Sequence, residues 1–261
     1  MSSNSLLAAA AVLSLLAAAP AQAETVSRTL DGTSLAVDVN CVDKVEIQPE
    51  PGLVGKVTAE ASSSDPSDLT DFVFTGGDTA SVTRERKLCV SMRTDRPKVT
   101  VAIRLPPGMA IDIRNAGSTD YVVGPVAGNL HARLAGSGDL SAESVTEFLL
   151  DIAGSSGVRV GRIAGPGEIR LAGSGDVKIA EAVMPSLKID VRGSGDVAIE
   201  AGEIGTLAAA IAGSGDLRLK AVVKDATLSS VGSGTIEVAQ VTGSLSTSKA
   251  GSGSVRIGKT K

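Results

Sequence analysis

The residues of this sequence best placed to do chemistry form a column of aspartates, Asp120, Asp139, Asp176, Asp196 and Asp216, each three residues after a glycine. Gly157, Thr235 and Ser254 fill the same place where the aspartate is missing. If these positions stack, Asp176, Asp196 and Asp216 lie about 5 Å apart, and like charges at that spacing invite a cation. Those three are the cation candidates. The plainer account is that Asp suits tight corners because its carboxylate accepts hydrogen bonds from nearby backbone N–H groups. It is the account adopted here, with each aspartate bonding amides at its own corner. A regular row also distinguishes no catalytic acid from a base.

His131 is the sole histidine and falls at an outward position with no cysteine near it in the repeats. A Ser-His-Asp site would have to be assembled around it, and the serines are already explained by the corners. Cys41 and Cys89 are the only cysteines, each inside a strand pattern. In an exported chain an even pair reads as a disulfide, worth roughly 4 kcal/mol by the chain-entropy estimate for a long loop. Clusters of His and Cys with metal-ligand spacing are absent. No catalytic, cofactor or metal residue is assigned, and the chain reads as a non-enzyme.

The elements that position these residues are set by a repeat. Gly117, Gly136, Gly154, Gly173, Gly193, Gly213, Gly232 and Gly251 open successive copies of a Gly-Ser-Gly-Asp-like corner about 19 residues apart. A fixed period of that size means a solenoid. Apolar residues stand six, four and two places before the glycine, as in Leu187, Ile189 and Val191, and four and six places after it, as in Val197 and Ile199. Period two marks a pleated strand with one face buried. A third side of variable length still carries an apolar residue near its middle: Val126, Val145, Ile163, Val183, Ile204, Val222 and Val241. The fold class is therefore all-β, a single-stranded parallel β-helix or solenoid of about 19-residue coils, right-handed in this reading. Gly-x-Gly does not read as a dinucleotide site, because a strand rather than a helix follows it.

Residues 1–23 read as a signal peptide: an uncharged polar start, an apolar stretch from Leu6 to Ala19, then Pro20 and Ala21-Gln22-Ala23 before Glu24. Fourteen apolar residues are too few to span a bilayer, which needs about 20. Residues 24–110 alternate in Leu35, Val37, Val39, in Leu88, Val90, Met92 and in Val99, Val101, Ile103, without the glycine corner. They begin the solenoid or cap it, and residues 111–261 carry the repeats, with 24–261 one continuous domain. The 25 basic and 29 acidic residues include no basic block, so nucleic acid is a poor partner. Four aromatic side chains, Phe72, Phe74, Tyr121 and Phe148, are few for a cleft that stacks sugar rings. Outward charges three places before the corner, Arg133, Asp151, Arg170 and Asp190, alternate in sign and form a ladder.

The corners at 18 to 20 residue spacing, with Val45-Glu46-Ile47-Gln48-Pro49 and Val99-Thr100-Val101-Ala102-Ile103-Arg104-Leu105-Pro106 before them, resemble the head GIN domain family of auto-transporter adhesins. The resemblance runs from about Leu35 to Ile257. It implies a bacterial envelope or secreted β-helix without established enzymatic activity and brings no catalytic residues. The resulting reading is an exported, non-enzymatic structural or adhesion-type envelope protein in the periplasm, at the outer surface or outside the cell. Its partners are unknown, a cell-surface or envelope component being the expectation. The alternatives are a β-helix polysaccharide lyase or hydrolase and a calcium-binding envelope protein. If the register is right, Ile189→Asp or Leu171→Asp unfolds the repeats, while Lys178→Asp or Lys188→Asp costs no more than about 0.5 kcal/mol in thermal melting.

Overall fold

The structure is a computed structural model that describes residues 23–84 and 98–260. The signal-peptide reading, the Leu88-Val90-Met92 alternation and Cys89 lie outside the described residues. The N-terminal strands are β1 (Glu24–Asp31), β2 (Ser34–Val39), β3 (Lys44–Pro49), β4 (Lys56–Ser63), β5 (Phe72–Thr75), β6 (Thr79–Arg84) and β7 (Val99–Leu105). A short 3-10 turn, Pro66–Leu69, precedes β5. The repeats supply β8 (Ala110–Asn115), β9 (Asp120–Pro125), β10 (Leu130–Leu134), β11 (Leu140–Val145), β12 (Phe148–Gly154), β13 (Val158–Ile163) and β14 (Gly167–Gly173). They continue in β15 (Val177–Gly193), β16 (Val197–Ile199), β17 (Gly202–Gly213), β18 (Leu217–Gly232), β19 (Thr235–Val241), β20 (Leu245–Ala250) and β21 (Ser254–Thr260).

The parallel β-solenoid that the period implies is what forms. Strands before the corner stack in one face, β8 on β10 on β12 on β14 on β15, and strands after it in a second, β9 on β11 on β13 on β15. Register is kept residue for residue: Leu134 faces Ile152, Ile152 faces Leu171, Leu171 faces Val191 and Val191 faces Ile211. The alternating columns fill one continuous core from Leu30 to Val241. Not every apolar residue near the middle of the third side faces the core. Val183 and Val222 point outward, 41% and 37% exposed, while Met184 and Val223 occupy the core places. The register Met184, Ile204, Val223, Val241 across four coils explains it. In the later coil a register shift between Leu219 and Val222 marks the offset, and a one-residue offset of the pleat exchanges the two faces.

The first coils do not follow chain order. β2 and β3 pair in parallel with β8 and β9, so they sit directly beneath the first glycine-cornered coil. β6 and β7, later in sequence, pair with the opposite edges of β2 and β3. Antiparallel strands then close this end, β5 on β6 in one face and β4 on β7, with β1 on β4, in the other. Beneath the cap the Arg84 guanidinium is fully buried, donating to the Cys41 and Asp68 carbonyl oxygens and lying 5.0 Å from the Phe72 ring centroid.

The corners are held by backbone. Ser194 N donates to Gly173 O at 3.0 Å and Ser214 N to Gly193 O at 2.9 Å, and the same bond recurs from coil to coil. A Cβ on Gly195 would stand 2.1 Å from Gly175 O, and Gly193 adopts φ +138° besides lying against Gly173 O. Neither place can take a side chain without moving the coil below. Gly195→Ala is therefore expected to cost about 1–3 kcal/mol. Gly77→Ala, where a Cβ meets open space, should leave the melting temperature unchanged, and equal losses at the two sites would contradict the corner packing.

Candidate functional site

The aspartate column turns out to join coils rather than to close single corners. Asp176 Oδ1 accepts from Asp196 N at 3.1 Å, Asp196 Oδ1 from Asp216 N at 2.8 Å, and Asp216 Oδ1 from Thr235 N at 2.9 Å. Asp120 and Asp139 do the same toward Asp139 N and Gly157 N. The expectation of bonding at the residue's own corner is thus corrected: each carboxylate reaches the equivalent amide one coil further on. The reason lies in the corner, where these amides point along the solenoid axis and the stacking distance matches the reach of a short side chain. The second carboxylate oxygens face arginine, Arg218 being 2.6 Å from Asp216 and 3.8 Å from Asp196, and Arg159 3.7 Å from Asp139. Among the described residues no group of three or more His, Cys, Asp or Glu could hold a metal ion.

The outer side of the first face carries the other polar cluster. His131 on β10 stands between coils, its Nδ1 3.1 Å from Asp112 Oδ2 and its Nε2 3.8 Å from Asp151 Oδ2. Arg133 lies near both carboxylates, and Arg170 donates to Asp151 at 3.1 Å. That hydrogen bond is the main reason the Arg170 guanidinium is held further into its charged form. The expected ladder is made from Arg133 through Asp151 to Arg170; Asp190 turns instead to Arg192 two residues along its own strand, at 2.9 Å. Lys188 pairs across coils with Glu168 at 2.8 Å.

Beside His131 the face is hollowed. Small side chains at Ser34, Ala36 and Ala110 leave a depression of about 560 Å³ bounded by Asp38, Asp112, Asn129, His131 and Glu147. Asn129 donates to Glu147 at 2.9 Å. A second depression of about 390 Å³ shares Glu147 and Leu149 with the first and continues past Glu168 and Lys188 to Thr206 and Ala208. The two make one trough across the strands from β6 to β17, roughly 30 Å at 4.8 Å per strand. Carboxylates, hydroxyls and the cations Arg114 and Lys188 share its rim, so it both accepts and donates hydrogen bonds. The sequence reading missed this trough, because the small residues at its floor come from β2 and β8, which are distant in the chain. Cys41 is buried at φ 60° and is not a free thiol, while Cys89, its assigned partner, is beyond the described residues.

A family model described as "Putative auto-transporter adhesin, head GIN domain" matches residues 39–221 and again 150–260. The chain belongs to the head GIN family. Solved structures with this fold include a "putative adhesin" from Parabacteroides distasonis, at 16% identity and TM-score 0.60 over 91% of this chain and 98% of that one. A "putative adhesin" from Parabacteroides merdae gives 14% and 0.58 over 92% and 98%. A "Putative lipid binding protein" from Parabacteroides distasonis gives 15% and 0.54 over 92% and 98%. No curated protein matches the sequence. The head GIN family is described by adhesion, and no helix among the described residues is long and apolar enough to cross a membrane.

Two expected outcomes test the inter-coil carboxylates. Asp196→Ala, which leaves the Asp216 amide to water, should lower stability by about 1 kcal/mol and speed hydrogen exchange at that amide, with Asp196→Asn milder because its oxygen still accepts. Asp225 is the most informative for pH. Its carboxyl is held below the usual carboxylate range by the Ser244 hydroxyl, at 2.6 Å, and then by the Ser244 N–H, at 2.8 Å. A depressed folded-state pKa gives stability that is present above the unfolded value of about 3.9 and is lost as pH falls through the folded one. The last coil should therefore open first on acidification below about pH 4, seen as loss of Ser244 amide protection, and Asp225→Asn should remove that pH dependence.

Proposed function

We propose that this head GIN protein is an exported, non-enzymatic adhesion module of the bacterial envelope, and that the trough on its first face is the contact surface. Residues 1–23 are its signal peptide, residues 24–261 one continuous domain, and Cys41 and Cys89 its disulfide. The trough carries the reading. It is long, shallow and lined with both hydrogen-bond donors and acceptors on a rigid backbone, which suits an extended, hydroxyl-rich envelope polymer better than a compact small molecule. The absence of aromatic platforms favours many weak polar contacts over a few tight stacked ones.

Catalysis by a lyase or hydrolase would require a base free to reach a substrate proton. Both ring nitrogens of His131 face carboxylates of neighbouring coils, which fits a bridge holding the trough in shape. The aspartates are similarly occupied by amides of the next coil, which speaks against the calcium-binding alternative.

The experiment is a binding and turnover screen of the exported protein against envelope glycans and whole-cell envelope fractions. Retention by at least one extended polymer is expected, reduced tenfold or more by Leu149→Arg with Ala110→Arg, with no change in polymer length. Turnover lost on His131→Ala or on the Asp176, Asp196, Asp216→Asn triple change would make the protein an enzyme instead. Intact-mass analysis of the secreted chain should give an N-terminus at Glu24 and a mass two hydrogens lower before reduction than after it.

A further inference from the structure

The two ends of the solenoid are finished differently. At the N-terminal end antiparallel strands cover the core, and the outermost strand of the second face is β1, whose partner is β4. At the other end β20 and β21 pair only with the preceding coil, β20 with β18 and β21 with β19, and their outer edges meet no strand among the described residues. Every residue of β20 is exposed, and Leu245 in an inward column is 39% exposed with Val231 beside this end at 53%. Two parallel strands with bare N–H and C=O groups and an incompletely covered core layer form an edge that proteins usually blunt. The blunting features among the described residues are the inward Thr247 and Lys249 on β20 and the charges of Arg256 and Lys259 on β21. Ser230, one coil below Lys249, is buried and donates to Gly234 O at 3.2 Å.

Charge is divided along the same axis. From Thr242 to Lys261 the chain carries Lys249, Arg256, Lys259 and Lys261 and no acidic residue, a net of +4 in a protein of net −4, which leaves −8 for the rest. Residues 24–98 hold 13 acidic against 9 basic side chains, and Glu24, Asp31, Glu60 and Asp78 are exposed on or beside the capping strands. Strand direction is compatible as well. β1 is antiparallel to β4 and β4 to β7, so β1 runs in the direction of β7 and of the parallel strands stacked on it, β21 included.

We propose that the protein associates head to tail with a second copy of itself, the basic C-terminal coil docking on the acidic N-terminal cap with β21 pairing in parallel with the edge of β1 that meets no strand among the described residues. An anionic lipid surface would also attract the lysines, but headgroups offer no ladder of backbone donors and acceptors to the bare strands, whereas a strand edge does. Because the two patches differ the contact is heterologous, and because they lie at opposite ends of one stack of coils, end-to-end addition continues the stack and builds linear oligomers.

The test is sedimentation and light scattering of the exported protein over a hundredfold range of concentration. Mass should grow with concentration at low salt and fall toward one copy at about 0.5 M salt, as screening shortens the reach of exposed charges. Lys249→Glu with Arg256→Glu and Lys259→Glu should weaken association at least tenfold, as should Glu24→Lys with Glu60→Lys, each variant keeping the wild-type melting profile. Mixing the two variants should restore association, a result that unfolding or general stickiness does not produce. Constant monomer mass at all concentrations in low salt overturns the proposal. So does a wild-type protein that stays monomeric yet binds phosphatidylglycerol vesicles through the same lysines.

Discussion

The structure depends on one contact, the close approach of backbone to backbone at the glycine corners. A carbonyl oxygen of each coil lies where the next coil would carry a Cβ, as Gly173 O does beneath Gly193 and Gly175 O beneath Gly195. Without a Cβ there the corners can keep the spacing of about 4.8 Å that the strand ladders set, and the core columns and the polar columns inherit it. With the pitch fixed, a short carboxylate three residues beyond the corner spans the gap to the next coil's amide, and longer side chains such as Lys188 and Glu168 meet across neighbouring strands.

Much of this was legible in the sequence because a solenoid turns long-range structure into local periodicity. The Leu171, Val191, Ile211 column could be read from spacing alone, and its members do stack. The third side was harder. Its length varies, so the pleat cannot be carried over from the corner, and only the stacked coils show that Val183 and Val222 face outward. The aspartates were identified as hydrogen-bond acceptors, but the donors are twenty residues away in sequence and adjacent only after stacking.

The candidate site was the least legible part. Its floor combines Ala36 with Ala110 and its rim combines Asp38 with Glu147, pairs with no common period. Small residues in an outward column carry no sequence signal of their own, and only the pairing of β2 with β8 brings them together. His131 was visible as a lone histidine; its place between Asp112 and Asp151 followed from coil register, which fixes a neighbour above and below every outward residue.

The coil made by β6 and β7 lies outside β2 and β3 although it comes later in the chain, and this bears on how the solenoid is assembled. A chain emerging N-terminus first presents β2 and β3 before either neighbouring coil exists, so they form a nucleus with two growing edges. One edge takes β6 first, the pairing of Ser34 with Thr79 closing a loop more than twice as long as the 19-residue steps that follow it, and β8 then adds to the other edge. Since closure entropy rises with loop length and is met before any reward from stacking, that first joining is the slow event, and the glycine-cornered coils add rapidly once it is made.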